Sequence, residues 1–182
     1  MSQMIYCAGP LFSKDEIRHC GIIENMCEQN NLKYFSPRLS SGDNGKYLGI
    51  YGKMLANKEF NELSKEEILK RRDIAATNIL ESNIDAIMNS DLIIACIDNR
   101  DPGTMFEIGY GVANNKRIIT YSWENYGVNI MISQSTVYHA NITEDNQTEL
   151  MNAIKEVYSM PDDMTIKDMR TELYKLKDIE LE

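Results

Sequence analysis

Residues 91–97 (Asp-Leu-Ile-Ile-Ala-Cys-Ile) form an almost uninterrupted apolar run. A strand with one solvated face alternates apolar and polar residues, whereas a continuous run is typical of a strand buried on both faces of a parallel sheet. Parallel strands are joined by crossover segments, usually helices, which cover both faces of the sheet. The run therefore predicts an α/β protein with this strand at its centre.

The rest of the chain alternates predicted strands and helices. Further short apolar runs predict strands at residues 3–8, 33–36 and 117–122. Helical spacing of apolar residues predicts helices at 15–30, 64–89, 104–115 and 144–160. The second helix begins at a capping box, Ser64 to Glu67, and its apolar stripe consists of Ala76, Leu80, Ile84 and Ile87. This alternation predicts a doubly wound α/β sheet with flanking helices.

The chain has 182 residues, which is the size of one ordinary domain. We predict an α/β domain over residues 1–160 and a helical C-terminal extension over 161–182. The extension has apolar residues at helical spacing, which predicts a helix packed on the body or on another subunit. These residues are Ile166, Met169, Leu173 and Leu176. Residues 40–52 contain four glycines and predict a loop.

Charge and composition exclude several classes of function. The net charge of −9 disfavours binding to nucleic acid or to anionic membranes. No apolar run approaches the roughly 20 residues needed to span a bilayer, and no leader pattern opens the chain, so we expect a cytoplasmic protein. Four cysteines without a CxxC pair and only two histidines predict reduced thiols, no metal site and no bound cofactor.

Ligands of open parallel sheets bind beyond the carboxyl ends of the strands. Two predicted loops lie there, at residues 9–13 and 98–104. The second is acidic, and we expect Asp98, Asp101 and Glu107 to lie close together. A carboxylate near a helix N-terminus is kept ionised by the helix dipole and free N–H groups, which suits a nucleophile.

The same stretch has a purely structural interpretation. Thr104 is placed to cap the helix, and Glu107 three residues later completes a capping box. Against this interpretation, Gly109 and Gly111 inside the helix each cost roughly 1 kcal/mol relative to alanine. Glycines retained at that cost suggest that another element packs closely against this helix.

Four segments of the chain carry recognisable motifs: Tyr-Cys-Ala-Gly-Pro-Leu-Phe (6–12), Ser-Asp-Leu-Ile-Ile-Ala (90–95), Asp-Pro-Gly-Thr-Met-Phe-Glu-Ile-Gly-Tyr-Gly (101–111) and Asn-Ile-Met (129–131). Together they resemble the nucleoside 2-deoxyribosyltransferase family. The third segment is the most specific, and the resemblance spans roughly residues 3–133. It implies a flavodoxin-like fold with a mainly parallel five-stranded sheet. It also implies base exchange on a 2′-deoxynucleoside by retaining double displacement, with a role in nucleotide salvage.

The resemblance also implies roles for individual residues. Glu107 matches the nucleophile, and Tyr6 matches the tyrosine that contacts it. Asp101 matches the aspartate that holds the sugar hydroxyls, in a motif that includes Gly103. Asn129 matches an asparagine that reaches a neighbouring subunit's site and binds the 5′-hydroxyl. We therefore expect a homo-oligomer, a dimer or a multiple of dimers, with shared active sites.

The flanking residues of those motifs complete the candidate site. Gly9 and Phe12 lie in the first loop, where Phe12 is our preferred wall for the base, and Met131 accompanies Asn129. Asn83 stands where the family commonly has an aspartate that contacts the base. Asn83 is interpreted either as a hydrogen-bonded amide at a helix break or as a base contact that supplies no proton.

Two other functions remain open from the sequence. A 2′-deoxynucleoside 5′-monophosphate N-glycosidase would share this architecture and the glutamate, and would need serines or an arginine near the phosphate. Ser133 and Ser135 are candidates for that role. A non-catalytic nucleoside-sensing module would bind ligand and tolerate loss of Glu107.

Overall fold

The computed structural model describes residues 3–40, 63–123 and 127–176. Five strands form one sheet in the order β2-β1-β3-β4-β5, and every neighbouring pair is parallel. The strands are β1 (Met4–Ala8), β2 (Lys33–Phe35), β3 (Leu92–Cys96), β4 (Arg117–Ser122) and β5 (Tyr138–Asn141). The predicted doubly wound sheet is confirmed, and all five residues of its central strand are buried.

Helices connect the strands and cover both faces of the sheet. They are α1 (Lys14–Gln29), α2 (Pro37–Ser40), α3 (Lys65–Asn89), α4 (Pro102–Ala113), α5 (Ile130–Ser135), α6 (Thr148–Ser159) and α7 (Ile166–Leu176). A 3₁₀ turn, Asp98–Arg100, lies between β3 and α4. Within the described ranges, no helix has the length and apolarity to cross a bilayer.

Two apolar clusters sandwich the sheet. On one face, residues of α1, α6 and α7 pack on the strands, and Met169 and Leu173 of α7 are buried there. On the other face, Ile87 of α3 and Ile108 of α4 pack on Tyr6 and Ile93 of the two central strands. The terminal helix that the 161–182 stripe predicts is therefore present and packs on the body of the protein.

The apolar stripe predicted for α3 is partly wrong. Ala76 and Leu80 are exposed, whereas Ala75 and Ile87 are buried. The buried face advances in steps of four residues, through Asn83, which is half-buried. Apolar residues such as Leu69 and Ile74 also lie on the exposed side, so periodicity alone assigns more than one face as apolar. The Ser64–Glu67 capping box is confirmed.

Three segments differ from the sequence predictions or lie outside the described residues. The strand β5 and the short helix α5 follow β4 in a stretch to which no pattern assigned structure. The helix predicted from residue 144 begins at Thr148. Of the loop predicted at 40–52, Ser40 is the last residue of α2 and the remainder lies outside the described residues.

Candidate active site

Glu107 and Tyr6 meet on the face of the sheet that α3 and α4 cover. Tyr6 is fully buried at the centre of β1, where it pairs in register with Phe35 and Ile93 of the flanking strands. Glu107 lies in the second turn of α4. The Tyr6 hydroxyl donates a hydrogen bond to Oε1 of Glu107 at 2.6 Å. The structure therefore brings together the two residues that the motifs assign to catalysis.

Asn83 also contacts this carboxylate. It lies on α3, and its Nδ2 donates to Oε1 of Glu107 across 3.4 Å. Hydrogen bonds in unliganded active sites are often long and tighten when substrate binds. The structure places Asn83 beside the glutamate and not at a break in the helix, because α3 continues to Asn89.

The carboxyl group of Glu107 is less acidic than an ordinary glutamate. Its pKa is raised to about 7, chiefly by burial; the hydrogen bond from Tyr6 lowers the pKa, and the nearby Asp101 carboxylate adds a smaller increase. Ionisation by the helix N-terminus was therefore the wrong expectation, because burial has the larger effect at this position. Burial and the Glu107 charge raise the pKa of Tyr6 well above its usual value, so Tyr6 stays a neutral donor.

The capping-box interpretation of Glu107 is wrong. Asp101, not Thr104, is the N-cap of α4, and its Oδ2 accepts hydrogen bonds from the backbone N–H and the hydroxyl of Thr104 at 2.7 and 2.8 Å. Glu107 lies six residues after that cap, too far into the helix to complete a capping box. Among the described residues, its carboxylate instead accepts hydrogen bonds from Tyr6 and Asn83.

The turn at Asp101 explains the glycine in the motif. A Cβ added to Gly103 would lie 3.1 Å from Oδ2 of Asp101, so a larger residue would press on the capping carboxylate. Asp101 is buried, and its charge acts on Glu107. A single aspartate therefore both begins α4 and shapes the electrostatics of the glutamate.

Asp98 does not join this group, contrary to the predicted acidic cluster. Its Oδ2 accepts from the backbone N–H of Trp123 at 2.8 Å and from the Cys96 thiol at 3.4 Å. Cys96 belongs to the cluster on the opposite face of the sheet. Alternate residues of a strand point to opposite faces, and the 3₁₀ turn then re-aims the chain before Asp101.

Gly9 and Phe12 are not brought to Glu107 by any contact within the described residues. A Cβ on Gly9 would lie 3.4 Å from Cβ of Cys96 and 3.5 Å from Sγ of Cys20, on the α1 side of the sheet. The side chain of Phe12 is 85% exposed. In the isolated chain Phe12 therefore lies in solvent, and its role as a base wall stays a prediction.

Asn129 and Met131 lie at the start of α5 and, among the described residues, make no hydrogen bond to Glu107. Asn129 is exposed and caps α5, with Oδ1 accepting from the backbone N–H of Met131 at 2.8 Å. The side chain of Met131 is 73% exposed, and that of Ile130 is 72% exposed. A single chain does not test the predicted contact of this segment with a second subunit. Two large apolar side chains exposed side by side are, however, typical of an interaction surface.

A cleft of about 700 Å³ extends between the end of β3, the start of α4 and the α5 segment. Its lining includes Asn129 and also Asn99 and Arg100, which the sequence analysis did not select. Both of these residues have positive φ, 57° and 50°. Asparagine is enriched in that conformation, so the sequence Asp-Asn-Arg-Asp could have indicated a turn at Asn99. Nothing in the sequence pointed to Arg100.

Two further side-chain contacts do not involve Glu107. Arg38 pairs with the buried carboxylate of Glu24, which also accepts from Ser36 at 2.6 Å. Trp123 stacks on His19 with ring centroids 4.3 Å apart. Neither contact is with Glu107.

Comparisons with known proteins agree with the fold and the motifs. The sequence profile described as nucleoside 2-deoxyribosyltransferase matches residues 5–162. Among solved structures, a 2-deoxyribosyltransferase from Bacillus psychrosaccharolyticus superposes with a TM-score of 0.55 at 24% identity, covering 78% of this chain and 88% of its own. No curated protein matches the chain.

Two further solved structures are similar at lower scores. A CMP N-glycosidase from Clostridium botulinum has a TM-score of 0.45 at 17% identity, covering 84% of this chain and 99% of its own. A conserved protein from Enterococcus faecalis V583 has a TM-score of 0.42 at 15% identity, covering 94% and 88%. The profile match spans most of the chain and includes all the candidate site residues. The chain belongs to the nucleoside 2-deoxyribosyltransferase family.

Proposed function

We propose that the protein exchanges the base of a 2′-deoxynucleoside through a covalent deoxyribosyl intermediate on Glu107. The observation that supports this proposal most directly is the Tyr6–Glu107 hydrogen bond of 2.6 Å, which holds a half-buried carboxylate at one oxygen. Within the described residues, no donor contacts the other oxygen, Oε2. A carboxylate held in this way suits nucleophilic attack on an anomeric carbon.

The reaction proceeds in two displacements. Oε2 bonds to C1′ while the C1′–N bond breaks, and the electron pair of that bond leaves with the base. The transition state has oxocarbenium character, which the negative carboxylate stabilises. A second base then attacks C1′ from the original face, Oε2 leaves, and the starting stereochemistry returns. Water in place of the second base gives hydrolysis, so exclusion of water favours transfer.

Asp101 is proposed to bind the sugar hydroxyls. Its Oδ2 is occupied by Thr104, which leaves Oδ1 as the acceptor for a ligand. The capping bonds hold the carboxylate at the start of α4, the same helix that carries Glu107. Rigid placement of both carboxylates on one helix would orient the sugar over the nucleophile.

A second copy of the chain is proposed to complete each site with Asn129 and Met131. Support comes from the exposure of Ile130 and Met131, two apolar residues at the start of α5, beside the polar Asn129. Aromatic and methionine side chains are enriched where protein surfaces meet. In a symmetric dimer the contact is reciprocal, so two sites are completed together.

A 5′-monophosphate N-glycosidase remains the second candidate because Arg100 and Asn129 line the same cleft. A guanidinium there could pair with a phosphate. The two candidate serines favour it less, since Ser133 donates to the carbonyl of Ile130 and Ser135 to that of Met131. Their hydroxyls are thus engaged by their own helix.

One assay separates the candidates. The protein is incubated with a deoxynucleoside or its 5′-monophosphate, with and without a free acceptor base, and the products are followed by chromatography. A new deoxynucleoside that forms only with acceptor supports transfer, whereas release of base from the monophosphate alone supports the N-glycosidase. Ligand binding by calorimetry without turnover contradicts both and indicates a sensing module. Glu107→Gln is the control, and a deoxyribosyl adduct on Glu107 in mass spectrometry is the positive evidence.

A further inference from the structure

Within the described parts of the chain, the two side chains that donate to the Glu107 carboxylate contact the same oxygen. Tyr6 donates to Oε1 from β1 at 2.6 Å, and Asn83 donates to Oε1 from α3 at 3.4 Å. The donors come from two different elements, so they approach the carboxylate from two directions. This asymmetry separates the two oxygens into one that is restrained and one that is available for reaction.

Chemistry dictates the orientation of the Asn83 amide. In its ionised form, which is the nucleophile, Glu107 only accepts hydrogen bonds, so the amide nitrogen and not the carbonyl oxygen faces it. An ionised aspartate, which the family commonly has here, has no proton to donate. It would instead place a second negative charge against the glutamate. The amide therefore makes a contact with Glu107 that the usual residue in its charged form does not.

We propose that Asn83 is a positioning residue for the nucleophile, restraining Oε1 together with Tyr6 so that Oε2 is the oxygen that bonds to C1′. This inference rests on the proposed function, because it assigns a role within that reaction. In the first step the C1′–Oε2 bond forms and the C1′–N bond breaks, with its electron pair remaining on the base. An amide is not an acid at neutral pH, so the leaving base takes its proton from water and not from residue 83.

The Asn83–Glu107 hydrogen bond can be detected through the titration of Glu107, which depends on the groups that face its carboxylate. Among the described residues, the titratable groups acting on it are Tyr6 from β1 and Asp101 from the start of α4. The α3 helix contributes Asn83, which carries no charge. Loss of an amide donor, or its replacement by a carboxylate, disfavours the charged form of Glu107 and shifts its titration to higher pH.

The test compares Asn83→Asp and Asn83→Leu with the wild type. Asn89→Asp is the matched control, since it makes the same charge change at an exposed position of the same helix. The carboxyl carbon of Glu107 is titrated by carbon-13 NMR, with its signal assigned by its absence in Glu107→Gln. The acid limb of kcat/KM for base exchange is measured in parallel. Circular dichroism shows that each variant is folded, and Asn83→Asp is nearly isosteric with the native residue.

We expect both Asn83 variants to shift the titration and the acid limb upward by about one pH unit, and the control to leave both unchanged. For Asn83→Leu, kcat should fall about tenfold or more with little change in KM, as for an interaction that acts on the chemical step. An unshifted titration in both variants overturns the inference, as does an altered KM or base preference without a change in the acid limb. Absence of turnover in the wild type overturns the proposed function instead, because the NMR titration needs no activity.

Discussion

The hydroxyl of Tyr6 and the carboxylate of Glu107 are joined by a 2.6 Å hydrogen bond across a sequence separation of 101 residues. The parallel pairing of β1 with β3 places Tyr6 beside Ile93, and α4 follows directly from the β3 turn to cover that face. The bond therefore depends on the sheet order, because a β1 strand at the edge would hold Tyr6 away from α4. Catalysis by Glu107 would rest on a contact that the topology creates.

Tyr6→Phe should fold normally and react more slowly. Phenylalanine fills the same buried volume, but the donor that lowers the pKa of Glu107 is lost. We expect the acid limb of kcat/KM to move up by about one pH unit and the rate at pH 6 to fall about tenfold. Tyr34→Phe is the matched control, since it removes a hydroxyl that donates to Glu28 on another part of the protein. Equal pH profiles for Tyr6→Phe and wild type would contradict the assigned role.

The half-buried carboxyl of Glu107 should make stability depend on pH. Its pKa is raised from 4.5 to about 7, so between these values the folded state holds a proton that the unfolded state has released. The free energy of unfolding therefore falls as the pH rises through this window. Glu107→Gln removes this contribution, and its stability relative to wild type should increase on the order of 2–3 kcal/mol from pH 4.5 to 8. Urea unfolding at both pH values measures it, and a constant difference would refute the shift.

Two substitutions at Asp101 distinguish its role as the N-cap of α4 from the effect of its negative charge on Glu107. Asparagine caps a helix about as well as aspartate, whereas alanine loses about 1 kcal/mol of stability. Both remove the negative charge that raises the pKa of Glu107, so both should move the acid limb of kcat/KM to lower pH. Thermal unfolding and pH profiles of the two variants are compared. Equal stability of Asp101→Asn and Asp101→Ala would show that the Thr104 contact does not stabilise α4.

Gly109 and Gly111 of α4 should respond in opposite ways to alanine. A Cβ on Gly111 would lie 2.4 Å from Cδ1 of Ile93, a buried residue of β3, whereas a Cβ on Gly109 would meet no atom within 4 Å among the described residues. Gly111→Ala should therefore cost about 1–3 kcal/mol and move Glu107 away from Tyr6, lowering activity. Gly109→Ala should gain up to about 1 kcal/mol as a better helix former. Destabilisation by Gly109→Ala in the isolated subunit would contradict this difference.

Mixed assemblies test the proposed shared site. Glu107→Gln and Asn129→Ala subunits should each be inactive, yet a mixed dimer would have one site with both residues intact. Co-refolding equal amounts should recover about a quarter of wild-type activity, because half of the dimers are mixed and each has one working site. Co-refolding Glu107→Gln with Glu107→Ala is the negative control, because no site of that mixed dimer contains Glu107. No recovery in a verified mixed dimer, or full activity of a monomer in light scattering, would refute sharing.

Local sequence patterns predicted the α/β architecture and most of the candidate site residues. The 91–97 run predicts the central strand because burial on both faces demands apolar residues at every position. The capping box at Ser64 and the stripe of the terminal extension predict α3 and α7, since both signals are short-range. The motif around Asp101 and Glu107 was also visible, because glycine spacing and acidic residues are read directly from the chain.

Only the tertiary structure decided which side chains the candidate site residues contact. Spacing alone favoured a capping box formed by Thr104 and Glu107, but α4 begins at Pro102 and its N-cap is Asp101. Burial then raised the pKa of Glu107, although helix position alone suggested the opposite. Asn83 was an ambiguous amide in the sequence, and only the packing of α3 against α4 directs it to Oε1. Such contacts join residues far apart in the chain, and their free energies depend on burial that no local pattern contains.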